Sequence, residues 1–122
     1  MHGNRRKSAL ILAAGLMGLA GVALAAAASH GDPRLLGGAS AMCLAHAPAL
    51  IALYAAYDRF ATAGLAALLL GLGTALFAGD LLARQYLGHG LFPMSAPAGG
   101  MLMIAGWLAV AAGAFFKRPA AG

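Results

Sequence analysis

The sequence predicts an all-α membrane protein, a four-transmembrane-helix antiparallel bundle with both termini in the cytoplasm. Three observations lead to this prediction. Of the 122 residues, 62% are hydrophobic and only 9% are charged, whereas soluble domains carry about 25% charged residues. Four long apolar segments alternate with polar connections. The basic residues are distributed unevenly between the two sets of connections, as they are in multi-pass membrane proteins.

The apolar segments divide a single membrane domain, residues 1–122, into four helices at about 8–29, 35–57, 60–83 and 97–116. Each is long enough to cross a hydrocarbon core of about 30 Å. The first segment has a basic head and an alanine-rich end, features that a cleaved signal peptide also has. Because its apolar run is longer than a signal core and its glycines are typical of helix packing, we expect a retained helix.

The connections indicate how the helices follow one another. Gly31, Asp32 and Pro33 form a polar turn after the first segment, and Asp58-Arg59 is a minimal link that favours antiparallel neighbours. Four spans place both termini on one side. That side receives six basic residues and the other side two, so the positive-inside rule places the termini in the cytoplasm. The six are Arg5, Arg6, Lys7, Arg59, Lys117 and Arg118, and the two are Arg34 and Arg84.

His46 lies at the middle of the second segment and therefore near the bilayer midplane. An ionisable side chain at this depth is a candidate functional site. Three interpretations stay open, namely a neutral structural histidine, a proton relay or substrate contact, and a metal or haem ligand. Met42 and Cys43 share its helix face, and with His46 they are a weak candidate set of soft metal ligands.

Two further polar groups lie within the spans. Trp107 is placed in mid-span on the fourth helix, where its indole N–H needs an acceptor. We expect it to pack near His46, or else to face lipid or fill core space. Asp80 is followed four residues later by Arg84, an order that favours an ion pair. We expect this carboxylate to be paired and to reach water near the outer interface, with a cation or proton site as the alternative.

His30, Asp32 and His89 are candidates for an outer-face cluster, of interest only if they converge.

The remaining sequence features exclude several classes of function. The sequence contains no P-loop, no dinucleotide-binding glycine fingerprint and no HExxH motif. It also lacks a basic stripe with interleaved aromatic residues, so we expect no nucleic-acid partner. We expect no cofactor and no enzymatic activity.

Small residues recur on the last two helices at the spacing of one helix face. Ala67, Gly71, Ala75 and Gly79 form such a row in the third segment. Small residues let helices approach closely in lipid, so this row predicts contact with another helix. The candidate packing residues are Gly71, Ala75, Gly79, Gly99, Gly100 and Gly106.

The block Pro97-Ala98-Gly99-Gly100, followed by Ala105-Gly106-Trp107, resembles a signature of the YgdD/YwdK-like small membrane proteins. These are domain of unknown function 423, which includes the transmembrane protein 256-like proteins. His46 and the segment 73–79 are also similar to family positions, whereas Ala45, Asp80 and Ala96 depart from them. The resemblance implies a multi-pass protein of the bacterial inner (plasma) membrane with no assigned activity, and an uncleaved first helix.

We therefore expect an uncharacterised integral membrane protein with a structural or interaction role through helix packing. Its expected partners are the lipid bilayer and either a second copy or another membrane protein. The alternative is a small transporter or proton-linked carrier that uses His46. A metal- or haem-binding redox protein is the third hypothesis.

Overall fold

A computed structural model describes residues 2–118 of the chain, which form four α-helices and one short 3₁₀-helix. The helices are α1 (His2–Ala27), α2 (Pro33–Ala55), α3 (Ala63–Leu87) and α4 (Ser95–Ala112), and the 3₁₀ turn Gly113–Phe115 continues α4. All four helices are long and apolar enough to cross a membrane. Residues 2–118 contain no strand beyond one isolated bridge. The prediction of an all-α protein with four candidate spans is confirmed.

Local chemistry moves several helix ends from their predicted positions. α2 begins at Pro33, in the first turn, where its missing N–H costs nothing. The Oδ1 of Asp32 accepts a hydrogen bond of 2.8 Å from the backbone N–H of Arg34 and caps this helix. α3 extends to Leu87 and ends at Gly88, whose φ of +80° is left-handed and therefore suits glycine.

The helices pack in the order of the chain, α1 on α2, α2 on α3, and α3 on α4. One end of the molecule, here called the basic end, combines the start of α1, the α2–α3 connection and residues 113–118. Lys7 forms an ion pair with Asp58 there, and the backbone N–H of Ala61 donates to the carbonyl of Phe116 at 2.7 Å. At the other end the backbone N–H of Asp32 donates to Oε1 of Gln85 on α3 at 2.9 Å.

The buried side chains form two clusters. The larger one is centred on Leu50, Leu53 and Leu70 and joins all four helices, and the smaller one contains Leu36 and Cys43. α1 has the smallest buried share of the four candidate spans, 22%, because α2 is its main neighbour. One side of α1 is consequently left without a helical partner in residues 2–118.

Candidate functional site

His46 is buried in the bundle, with 5% of its surface exposed. Its Nδ1 lies 2.8 Å from the carbonyl oxygen of Met42, one turn earlier on α2. Its Nε2 lies 3.1 Å from the indole Nε1 of Trp107 on α4. The imidazole and indole rings are tilted by 54° with their centroids 5.7 Å apart. The histidine therefore links α2 to α4.

These two contacts determine which ring nitrogen of His46 carries the proton. A carbonyl oxygen can only accept a hydrogen bond, and an indole N–H can only donate one. Nδ1 must then donate to Met42, and the lone pair of Nε2 must accept from Trp107. The neutral ring is fully satisfied inside the bundle, as a buried polar group in lipid requires. A proton relay or a metal would first have to displace Trp107.

Trp107 meets the expectation that it contacts His46. Its side chain is nevertheless 46% exposed, so part of the indole ring faces the surroundings of the bundle. This arrangement suits an amphipathic side chain in lipid, because the polar N–H is buried against His46 while part of the ring stays outside the bundle.

The weak soft-ligand set of α2 does not converge in space. Met42 packs against the cluster around Leu50, whereas Cys43 belongs to the smaller cluster with Leu36. His46 uses its free lone pair for Trp107. Within residues 2–118, no three or more His, Cys, Asp or Glu side chains are grouped so as to hold a metal ion.

The outer-face candidates do not assemble into such a group either. The carboxylate of Asp32 caps α2 through the N–H of Arg34. The Nδ1 of His89 lies 2.8 Å from the carbonyl oxygen of Gly90 in its own loop. His30 is exposed at the turn after α1. Asp32 and His89 therefore serve a local cap and a local turn.

Asp80 is the centre of a buried polar cluster at the end opposite the basic end. Its Oδ2 accepts a hydrogen bond of 2.8 Å from Nε of Arg84, which confirms the expected pair. Its Oδ1 accepts from the backbone N–H of Leu91 at 3.0 Å and from Oγ of Ser95 at 2.5 Å. The carboxylate thus ties α3 to the connection before α4 and to the first residue of α4.

The expectation that Asp80 reaches water is wrong, because its side chain is 0% exposed. The connection folds over the carboxylate, and a Cβ on Gly90 would collide with Oδ1. Arg84 remains half-exposed and brings the charge of the pair to the surface. A carboxylate with three donors and no free surface is suited to holding a loop and unsuited to binding a cation or substrate.

The small residues fall into two groups with different roles. A Cβ on Gly99 would lie 2.7 Å from the backbone nitrogen of Phe77 and 2.8 Å from the carbonyl oxygen of Gly73, so α3 and α4 touch backbone to backbone. A Cβ on Gly106 would lie 2.7 Å from the side chain of Leu70. Gly99 and Gly106 are therefore packing residues, as predicted, whereas a Cβ on Gly100 would meet nothing within 4 Å.

The row Ala67, Gly71, Ala75 and Gly79 is only partly covered within the bundle, since Ala67 belongs to the larger core cluster. The row lines a groove of about 1140 Å³ that lies between α1 and α3. A Cβ on Gly71 would meet no atom within 4 Å, and Ala75 is exposed. Gly79 has a near neighbour, the side chain of Leu91 at 3.3 Å from its ideal Cβ. The middle of the predicted helix-contact surface, at Gly71 and Ala75, is thus left uncovered by residues 2–118.

This α1–α3 groove is apolar along most of its length and charged at one end. Leucines on its two walls, Leu16 on α1 and Leu68 and Leu72 on α3, are each more than half exposed. Cys43 contributes to the groove from α2. Arg6, Arg118 and Tyr57 line it at the basic end. His46 and Asp80 are not among its lining residues.

Three polar residues that the sequence analysis did not select join helices within the bundle. Ser40 donates from Oγ to the carbonyl of Gly21 at 2.7 Å and links α2 to α1. Thr62, the residue before α3, donates from Oγ1 to the carbonyl of Ala109 on α4 at 2.6 Å. Ser95 binds Asp80. Serine and threonine are common in apolar segments, and their positions in the sequence do not indicate which carbonyl on another helix they will meet.

Comparison with known proteins places these features in a family. The family model described as "Protein of unknown function (DUF423)" matches residues 23–100. The matched region contains His46, Asp80 and Gly99 but ends before Trp107. No curated protein and no solved structure matches the chain. The family model covers more than half of the sequence, and the chain belongs to the DUF423 family of proteins of unknown function.

Proposed function

We propose that this protein is a non-catalytic, multi-pass protein of the bacterial inner membrane that acts by binding another molecule within the bilayer. The α1–α3 groove is its binding surface. One observation carries the proposal. The intramembrane polar groups His46, Asp80 and Trp107 are engaged by internal partners, whereas Gly71 on the groove wall faces open space and Ala75 is exposed.

The polar groups have a structural role in this proposal. His46 and Trp107 connect α2 with α4, and Asp80 holds the connection before α4. A catalytic or carrier site needs a polar group that is free to meet a substrate. His46 has neither a free nitrogen nor a place on the groove wall. No described contact of His46 therefore favours a carrier function.

The proposal includes an antiparallel topology with both termini in the cytoplasm. Its support is the ion pair between Lys7 and Asp58 and the hydrogen bond from Ala61 to Phe116, which unite both chain ends with the α2–α3 connection. The six basic residues of this end agree with the positive-inside rule. Retention of α1 is supported by its contact with α2, where Ser40 binds the carbonyl of Gly21.

Site-specific photocrosslinking in native membranes tests the role of the groove. A benzophenone amino acid replaces Leu68 on the groove wall, and in a matched variant it replaces Leu108 on α4, outside the groove. Both side chains are similarly exposed, 56% and 66%. We expect one defined adduct from position 68 and a broad mixture of bulk lipids from position 108. The same mixture from both positions would refute the proposal.

The mass of the adduct also identifies the class of occupant. A gain equal to the mass of this chain indicates a second copy, and a larger defined protein indicates another membrane protein. A small defined gain indicates a lipid. Any of these three results supports the groove as a binding surface.

A further inference from the structure

The α1–α3 groove is charged at the basic end and apolar along the rest of its length. Arg6 enters it from α1 and Arg118 from the end of the chain, and Tyr57 lines the same region. Both arginine side chains are exposed, and no side-chain hydrogen bond or ion pair to either is formed by residues 5–118. The rest of the groove wall carries no charged residue. A molecule that fits has an anionic end and an apolar body.

The anion must come from outside the chain. The sequence has three acidic residues against eight basic ones. Asp58 pairs with Lys7, Asp80 pairs with Arg84, and Asp32 caps α2. A second copy of the chain uses its three carboxylates in the same way and brings a further basic end to the same side of the membrane. Charge complementarity therefore disfavours a second copy and favours an anionic ligand.

The position of the arginines matches a lipid headgroup. From Arg6 to Met17, both lining residues, the rise of α1 is about 17 Å at about 1.5 Å per residue. This is close to half of a hydrocarbon core of about 30 Å, which is the depth of one leaflet. An acyl chain that starts at the arginines would reach Gly71, where the groove wall has no side chain.

We infer that the half of the α1–α3 groove next to the basic end binds an anionic glycerophospholipid. This inference rests on the proposed function of the groove. The phosphate lies at the guanidinium groups of Arg6 and Arg118, whose planar donor pairs suit phosphate oxygens. One acyl chain runs along Leu10 of α1 and Leu68 and Gly71 of α3. The small residues of α3 provide the space for this chain.

Lipid titration measured by native mass spectrometry tests the inference. The delipidated full chain is titrated with phosphatidylglycerol and with phosphatidylethanolamine of identical acyl chains. The groove variant is Arg6→Gln/Arg118→Gln. The matched control, Arg5→Gln/Arg59→Gln, removes the same charge from the same end at two exposed residues that do not line the groove. We expect the groove variant to lose the preference for phosphatidylglycerol by on the order of 30-fold.

The control separates a site from general attraction to a basic surface. Equal losses in the two double variants, or equal binding of both lipids by the wild type, would overturn the inference. A second pair of variants tests the acyl path. Gly71→Leu puts a side chain into open space within the groove, and Gly100→Leu puts one into open space elsewhere. Only Gly71→Leu should weaken binding, and unchanged binding in Gly71→Leu counts against the acyl path.

Crosslinking from Leu68 distinguishes failure of this inference from failure of the proposed function. An adduct with the mass of an anionic phospholipid agrees with both. A defined protein adduct keeps the groove as a binding surface and overturns the lipid assignment. An unselective mixture refutes both.

Discussion

The hydrogen bond between Trp107 and His46 offers a direct test of how the bundle is held together. Trp107→Phe keeps an aromatic ring on α4 and removes the one donor to Nε2 of His46 that residues 2–118 supply. The imidazole is 5% exposed, so water cannot easily replace the indole N–H. The variant therefore isolates the cost of an unsatisfied buried acceptor.

The expected cost follows from the burial of that acceptor. An unsatisfied buried polar group costs about 1–3 kcal/mol. Interhelical hydrogen bonds measured inside membranes average about 0.6 kcal/mol and reach about 1.7 kcal/mol, because the unfolded state in lipid also finds partners. We therefore expect Trp107→Phe to lower the free energy of unfolding by about 1 kcal/mol.

Equilibrium unfolding by dodecyl sulfate in mixed micelles, followed by far-ultraviolet circular dichroism, gives this quantity. A double-mutant cycle with His46→Leu measures the coupling directly, since the second change also removes the acceptor. Leu108→Ala is the matched control, because this neighbour on α4 is 66% exposed and its change should lie within about 0.5 kcal/mol. Strict additivity in the cycle, or a Trp107→Phe variant as stable as the wild type, would refute the hydrogen-bond argument.

Three other substitutions test the remaining contacts in the same assay. Asp80→Ala leaves the buried hydroxyl of Ser95 without its partner and removes the pair with Arg84, so we expect the free energy of unfolding to fall by about 3 kcal/mol. A change below about 1 kcal/mol would contradict the role of Asp80 in holding the connection before α4. Gly99→Ala forces α3 and α4 apart and should cost about 1–3 kcal/mol, whereas Gly100→Ala has open space and should be near neutral, so equal effects would contradict the packing assignment. Thr62→Val removes the bond to Ala109 and should cost about 1 kcal/mol, and a stability equal to the wild type would show that this bond contributes nothing.

The sequence was sufficient to predict the candidate spans and some of the local pairs. Asp80 and Arg84 are four residues apart on one helix, so their contact depends only on helix geometry. The same geometry could not show that Asp80 is buried. Leu91 and Ser95 lie beyond the end of α3, and their arrival at the carboxylate depends on the path of the connection.

The sequence also left open which row of small residues is covered. Ala67, Gly71, Ala75 and Gly79 have the better spacing, yet α4 packs on the face that contains Leu70 and Gly73. In lipid the outside of a helix is as apolar as the inside, so hydropathy does not distinguish the two faces. The pattern identified a contact surface and did not indicate which helix would cover it.

Composition and local periodicity determined the properties that belong to each helix by itself. From them it follows that residues 2–118 contain four apolar helices with a basic excess at one end. Hydropathy and charge are properties of each segment and need no partner. The tertiary structure alone decided that His46 meets Trp107, that Asp80 lies beneath a loop, and that α1 and α3 leave a groove. Those outcomes depend on contacts between helices, and such contacts arise only when each helix has selected the face on which it packs.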